Sequence, residues 1–257
     1  MNKKILTQIN KFFFPLFLCL FLIAAYFANN YKTIDTIIPK ALKDPVQTEL
    51  KNKTTIRFTK NDYKFEITPL YDYEINGLVV SKFNYDSWFS IRKTDRIFMT
   101  DLCIIWGSNL KKKIYKNPFG RFSQDMRFCQ YQCNEGDFNP NEFSNNHLVV
   151  KDNIVRNKIK KIRVGDQVLI RGHLIYLAAD LIKRGDVFDS QHITWQSSTT
   201  RVDGGHGACE VIYVQDVAIL QKGNPAARII KILSLLALLS LVALNIIQMT
   251  KPNEELI

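Results

Sequence analysis

Two long stretches of this 257-residue chain contain no charged residue, and they indicate the class of protein more clearly than any motif does. Residues 12–28 read FFFPLFLCLFLIAAYFA, and residues 232–249 read ILSLLALLSLVALNIIQM. A run of about 17 to 25 apolar residues is long enough to cross a bilayer as a helix. The second run has no polar stripe, so such a helix must be surrounded by protein or by lipid. We therefore predict transmembrane helices at 12–28 and 229–249; the alternative for the second run is a buried core helix.

A well-formed cleavage site for signal peptidase is also missing. A basic start followed by an apolar run is shared by signal peptides and membrane anchors, and cleavage needs small residues at the first and third positions before the cut. A cut after Ala28 would place Tyr26 at the third position. A cut after Ala25 would place Ile23 there. The sequence thus favours an uncleaved anchor over a cleaved signal peptide.

Acidic residues are outnumbered, 24 against 35 lysines and arginines, which gives a formal net charge of +11. Net charge bears on association and solubility rather than on one activity, so its distribution is more informative. Lys3, Lys4 and Lys11 precede the first run, and short basic flanks tend to stay in the cytoplasm. Arg228 and Lys231, ahead of the second run, argue for the opposite orientation. The first helix usually dominates, so we expect a cytoplasmic N-terminus.

This orientation predicts a multi-pass protein of the cell (inner) membrane. Residues 1–11 and 250–257 are expected in the cytoplasm. Residues 29–62 are expected to form a juxtamembrane linker, and residues 63–225 an extracytoplasmic domain. The lipid bilayer is then one partner, and a protein of the cell envelope is the second partner that we expect.

The central region has the composition of a folded β domain. Apolar residues make up 46% of the chain and aromatic residues 12%, which is ample for a packed core. The segment YKFEITPLYDYEINGLVVSKF, from Tyr63, alternates apolar and polar residues and predicts two short strands with Pro69 at the break. DLCIIWG, from Asp101 to Gly107, predicts a buried strand. Residues 108–146 have no period and predict a long irregular insertion.

The segment GDQVLIRG, which begins at Gly165, carries a more specific pattern. One side of the predicted strand presents Val168, Ile170, Gly172 and Leu174. The phrase resembles a strand of small closed barrels of the OB-fold type, in which the glycine lets a strongly bent strand turn the barrel corner. The resemblance covers a dozen residues. It implies a mainly β soluble domain, a small OB-like barrel with a long irregular insertion, between the two transmembrane helices.

Four cysteines lie in the central region, and an even set in an oxidising compartment indicates disulfides. They are Cys103, Cys129, Cys133 and Cys209, and four cysteines allow three connectivities. A zinc site is the alternative, because CQYQC followed by His147 has the opening spacing of a zinc finger. The second histidine expected three to five residues later is missing, so Cys129, Cys133 and His147 form only a partial set. We expect disulfides and no cofactor.

A glycine-rich segment, SSTTRVDGGHGACEVIYV, begins at Ser197. Its glycines tolerate positive φ and predict a turn from Asp203 to Gly207 between two strands. The pattern does not match a phosphate-binding loop, because a helix should follow the glycines, whereas ACEVIYV is typical of a strand. The segment therefore predicts a tight connection rather than a phosphate site.

Side chains that could support catalysis nevertheless lie in and near this segment. The candidates are Cys209 as a nucleophile, His206 or His147 as its base, with His192 as a further base, and Asp203 as the orienting group. A reactive thiolate needs a positioned base or a helix N-terminus, and the sequence gives no distances. A bridged cysteine is the simpler expectation for an exported domain.

Basic and aromatic residues interleave at 111–122, and RNKIKKIR follows at 156–163. Such segments can bind a polyanion, but we expect no nucleic acid outside the cytoplasm; the anionic bilayer or an envelope polymer is the better counterpart. The expected function is that of a two-span membrane-anchored protein that presents its extracytoplasmic β domain for binding or envelope assembly. The alternative is an envelope-facing hydrolase or thiol enzyme that uses Cys209 with His147 or His206.

Overall fold

The structure is a computed structural model that describes residues 3–85, 97–125, 127–132, 138–182, 191–200 and 209–250. The chain divides into a helical unit, formed by Met1–Thr33 with Asn224–Ile257, and a mainly β unit, Ile34–Gly223. A β unit thus lies between two apolar helices along the chain, as the charge-free runs predict.

The described residues form four helices and ten strands. The helices are α1 (Lys3–Ala28), α2 (Gly107–Lys111), α3 (Asn153–Lys161) and α4 (Pro225–Thr250). The strands are β1 (Val46–Glu49), β2 (Ile56–Lys60), β3 (Tyr63–Asn84), β4 (Thr100–Ile105), β5 (Arg121–Asp125), β6 (Phe128–Gln132), β7 (Phe143–Val149), β8 (Gln167–Leu181), β9 (His192–Gln196) and β10 (Glu210–Gln221).

In the helical unit, α1 and α4 pack as an antiparallel pair. Near one end, Asn10 Nδ2 donates to Asn245 Oδ1 at 2.6 Å. Near the other, Arg228 Nε donates to the carbonyl of Ala28 at 3.0 Å. The stretches Asn10–Ala28 and Pro225–Thr250 are long and apolar enough to span a membrane, and they contain the predicted segments 12–28 and 229–249.

The β unit is built on five long-range strand pairings. β3 pairs with β4, β4 with β7, β10 with β8, and β8 with β3, all antiparallel, while β7 and β10 are parallel. β1 and β2 extend the sheet from β3, and β9 extends it from β8. β5 and β6 form a separate two-stranded hairpin. The framework of the sheet is therefore formed by β3, β4, β7, β8 and β10, and β1, β2 and β9 are added at its edges.

The segment from Tyr63 is one strand of 22 residues, not the two short strands that were predicted. Pro69 lies inside β3, where the pairing with β8 shifts register between Pro69 and Tyr71. A proline cannot donate to the ladder, but a bulge removes the need for that hydrogen bond. The proline therefore bends the strand without ending it.

The alternation predicted for the strand after Gly165 is confirmed in β8. Val168, Ile170 and Leu174 all lie in the main core, together with residues from β3, β4, β7 and β10. The side chains of Val155 and Ile159 bring α3 against the same core. DLCIIWG is also confirmed as a buried strand, since every residue of β4 is buried.

Two regions carry more regular structure than the sequence predicts. The predicted linker 29–62 contains β1 and β2, which pair with β3. The predicted irregular insertion 108–146 contains β5 and β6, part of α2 and the start of β7. These elements are short, and β1 is mostly exposed, so their apolar periodicity is too weak to recognise.

The basic segment RNKIKKIR lies largely on α3, an amphipathic helix. Asp152 begins the helix, with its Oδ1 accepting from the backbone N–H groups of Ile154 and Val155 at 2.6 and 2.9 Å. At the other end, Lys82 Nζ donates to the carbonyls of Ile159 and Ile162 at 3.2 and 2.8 Å. Burial lowers the pKa of Lys82 from 10.5 to about 8. A β3 lysine thus satisfies carbonyls that the helix leaves open.

The stability of the β unit is expected to rise with pH through Lys82. Above its folded pKa of about 8, folded Lys82 loses its proton while the unfolded chain still binds one, so the free energy of unfolding increases until about pH 10.5. The gain is roughly 2 kcal/mol by about pH 9.5. We expect the thermal midpoint of the detergent-solubilised wild type to rise over this range relative to Lys82→Met. An unchanged difference between the two proteins would contradict this expectation.

Candidate functional site

A carboxylate and an imidazole meet in the middle of the β unit, where both side chains have 0% exposure. Asp101 on β4 lies directly opposite His147 on β7 in the antiparallel register. His147 Nδ1 is 2.7 Å from Asp101 Oδ1. Tyr85 Oη donates to Asp101 Oδ2 at 2.5 Å. Asp101 therefore contacts the imidazole with one oxygen and the phenol with the other.

Aromatic rings and an arginine enclose His147. The Phe98 ring stacks on the imidazole with centroids 4.9 Å apart, and Trp195 meets it edge-on at 5.3 Å. The guanidinium of Arg127 lies 5.3 to 5.7 Å from the ring centroids of Tyr85, Phe98 and Trp195. A cation within about 6 Å of a ring face is attracted by the ring quadrupole. Arg127 thus closes the aromatic side of the site.

The β5–β6 hairpin is fastened over this face by a disulfide. Cys103 on β4 is bonded to Cys129 on β6, across 26 positions of sequence. Asn145, opposite Cys103 on β7, donates from Nδ2 to the carbonyl of Arg127. The covalent bond and the hydrogen bond hold the turn of the hairpin, and with it the Arg127 side chain, beside the Asp101–His147 pair.

Cys209 lies on the same face as His147. The parallel register pairs Val211 with His147. Side chains two residues apart on a strand share a face, so the Cys209 side chain lies on the same face as that of Val211. The Cys209 side chain is buried, and Asn145 Nδ2 lies 3.5 Å from its Sγ. The structure therefore brings two of the predicted candidates, Cys209 and His147, to one side of neighbouring strands.

The remaining predicted candidates do not join this group within the described residues. Asp203, His206 and Cys133 lie outside the described residues. His192 is at the start of β9, where its Nδ1 lies 2.5 Å from Asp180 Oδ1 and both side chains are more than half exposed. His192 is therefore a surface residue, separate from the buried pair.

The positions of the cysteines bear on both predictions made for them, disulfides and a zinc site. The Cys103–Cys129 bond is one of the pairings that the even set of cysteines allowed. Its formation also removes the Cys129 sulfur as a ligand for the alternative zinc set of Cys129, Cys133 and His147. Among the residues that the structure describes, no three side chains of histidine, cysteine, aspartate or glutamate are grouped to hold a metal ion.

The chemistry open to the buried pair is proton transfer at the far nitrogen of His147. A carboxylate at Nδ1 orients the ring and leaves Nε2 to accept or donate a proton. Nε2 makes no hydrogen bond with any described residue. However, the ring is fully buried and stacked against Phe98, so no described surface gives a substrate access to it. The observed geometry is that of a closed polar cluster that joins β4 and β7.

Sequence reasoning missed most of this cluster. The apolar pattern of DLCIIWG predicts a buried strand but assigns no role to Asp101, its first residue. A carboxylate in a buried strand almost always has a partner. That signal could have linked Asp101 to a histidine on a neighbouring strand. No sequence pattern indicates Arg127 or Trp195, because their approach depends on the hairpin and on β9. No known protein family, curated protein or solved structure matches this chain.

Proposed function

We propose that this chain is a two-span membrane protein that presents its β unit on the extracytoplasmic side of the cell membrane, for binding or assembly in the envelope. The observation that carries the proposal is the antiparallel pair of apolar helices, one before and one after the β unit in the sequence. Both helices expose large apolar side chains, among them Phe12 at 66% and Leu233 at 60%. Exposing such surface to water costs about 25 cal/mol per Å², so lipid is the favourable surrounding.

Two observations support the extracytoplasmic side. Lys3, Lys4 and Lys11 precede the apolar part of α1, and short basic flanks tend to remain in the cytoplasm. The disulfide between Cys103 and Cys129 favours an oxidising compartment, because cytosolic reductants keep most thiols reduced. The flank and the disulfide are independent, and both argue for the same side.

We further propose that the framework strands close into a small barrel of the OB type. Each of β3, β4, β7, β10 and β8 pairs with two others of the five, which returns the order to its start. Their side chains share one core, to which α3 contributes Val155 and Ile159. The five-stranded OB barrel binds oligonucleotides or oligosaccharides on the face of its second and third strands. Here those strands would be β4 and β7, and the β5–β6 hairpin covers the face that carries Asp101 and His147.

This cover argues against catalysis at the Asp101–His147 pair. An enzyme needs its reactive groups within reach of a substrate, but Asp101 and His147 are fully buried. Arg127 and the Cys103–Cys129 bond hold the hairpin in place over them. The envelope-facing hydrolase or thiol enzyme would require the hairpin to move aside, and a stabilising role for the pair requires no such motion.

Reporter fusions test the topology. A reporter that is active only outside the cytoplasm is fused after Gly223, or after Ile257, and each is paired with a reporter that is active only inside. We expect the Gly223 fusion to be active outside and the Ile257 fusion inside. Reversed readouts would place the β unit in the cytoplasm and overturn the proposed side. Identical readouts at the two sites would mean that α4 does not span the membrane.

A further inference from the structure

Among the described residues of the β unit, Phe119 is the most exposed large apolar side chain, at 87%. It lies in the loop between α2 and β5 and follows Pro118. The loop is held in shape by its own contacts, since the backbone N–H of Phe119 donates to Asn117 Oδ1 at 2.9 Å. A single exposed apolar side chain is ordinary on a protein surface, so the charges around Phe119 decide what this ordered turn can contact.

The same loop is strongly basic. We define the basic loop as residues 111–121, KKKIYKNPFGR, which contain five lysines and arginines and no acidic residue. The side chains of Lys111, Lys113 and Arg121 are exposed on either side of Phe119 in the sequence. An apolar tip flanked by cations matches the interface of an anionic bilayer, where the ring enters the headgroup boundary and the cations meet lipid charges.

Chain connectivity limits the distance between this loop and the end of α1. Tyr115 Oη donates to the carbonyl of Ile34 at 2.8 Å, and Lys116 forms an ion pair with Asp35. The hydrogen bond from Lys116 also lowers the pKa of Asp35. Asp35 follows Ala28, the last residue of α1, by seven positions, so the chain allows at most about 25 Å between them. The base of the loop is therefore tied to the first residues after the membrane segment.

The chain also leaves the β unit toward α4 from this region. Gly223, two residues before the start of α4, donates from its backbone N–H to Asp166 Oδ1 at 2.9 Å. Gly165, beside Asp166, lies against both Ile34 and Gly223. The two ends of the β unit are thus neighbours, and the basic loop is bonded to one of them.

We propose that the basic loop docks on anionic lipid headgroups, with Phe119 entering the membrane interface. This inference rests on the proposed function, because it requires α1 and α4 to lie in the bilayer. The loop adds a third membrane contact, which would restrict the rotation of the β unit about its two tethers. Each basic side chain near an anionic surface contributes enough attraction to change occupancy roughly fivefold.

The test uses the full chain reconstituted in nanodiscs. Phe119→Trp is compared with the wild type in nanodiscs that contain anionic lipids brominated near the headgroup end of their acyl chains. We expect the bromines to quench the added tryptophan. Quenching should weaken in nanodiscs of zwitterionic lipid and at high salt. It should also weaken severalfold when the Phe119→Trp chain carries three further substitutions that remove charge, Lys111→Gln, Lys113→Gln and Arg121→Gln.

The matched control is Ile154→Trp. Ile154 is another exposed apolar residue, at 70%, and it lies at the N-terminal end of α3. The opposite, C-terminal end of α3 leads to the turn beside Ile34 and Gly223. Its tryptophan should not be quenched. If the chain enters nanodiscs but Trp at position 119 is quenched no more than Trp at position 154, the loop does not dock on lipid and this inference fails alone. If the chain does not enter nanodiscs at all, the proposed function fails first.

Discussion

Gly172→Ala is expected to prevent the β unit from reaching its folded state. A Cβ at this position would lie 2.0 Å from the carbonyl oxygen of Tyr213 and 3.1 Å from the Cα of Val214. Both are backbone atoms of β10, which cannot move aside as a flexible side chain would. Gly172 pairs with Val214 just where β10 shifts register, so the close approach belongs to the bend of the two strands. The loss should exceed about 3 kcal/mol, above the usual cost of overpacking.

Gly120→Ala is the matched control. Its Cβ would meet the Tyr131 hydroxyl at 2.7 Å, which is the far end of a side chain that can shift. Its cost should stay near 1 kcal/mol. Thermal unfolding in detergent and resistance to protease compare the two variants. If Gly172→Ala unfolds at the temperature of Gly120→Ala, β8 and β10 do not approach as closely as described.

Asp101→Ala is expected to destabilise the β unit, because each buried polar group that loses its partner costs about 1 to 3 kcal/mol. The substitution would leave the Tyr85 hydroxyl without its acceptor and would remove the carboxylate that contacts His147 Nδ1, in a place that water does not reach. Asp101→Asn keeps the shape and one acceptor oxygen, so it should lose less. Chemical unfolding followed by tryptophan fluorescence measures the three free energies.

Asp180→Ala provides the control for the same pair of residue types on the surface. Asp180 contacts His192 Nδ1 at 2.5 Å, but both side chains are more than half exposed. Exposed pairs contribute about 0 to 1 kcal/mol, so this variant should behave almost as the wild type. Equal losses in Asp101→Ala and Asp180→Ala would mean that burial does not govern the Asp101–His147 contact.

The parts of the fold that follow from local patterns were predictable. The charge-free runs lie in α1 and α4, and the alternation around Val168 and Ile170 matches the inward face of β8. The strand break predicted at Pro69 is wrong, because a proline stops an isolated strand but is tolerated where a bulge shifts the ladder. β1 and β2 were missed because four or five partly exposed residues carry little periodicity.

The candidate site was predictable only in part. His147 and Cys209 were chosen for their chemistry, and the strand pairing of β7 with β10 places them on one face. Their nearest partners come from distant parts of the sequence: Asp101 is 46 positions before His147, by the difference of their numbers. Such a pairing depends on strand order and register, which no local pattern fixes. The position of Arg127 depends further on the disulfide of its hairpin.

Extraction of isolated membranes at alkaline pH with carbonate tests most directly whether lipid surrounds α1 and α4. Soluble and peripheral proteins are released by this treatment, whereas helices that span the bilayer stay in the pellet. We expect the intact chain to remain wholly in the pellet and to enter the soluble fraction only with detergent. Release of the full-length chain by carbonate alone would contradict the account.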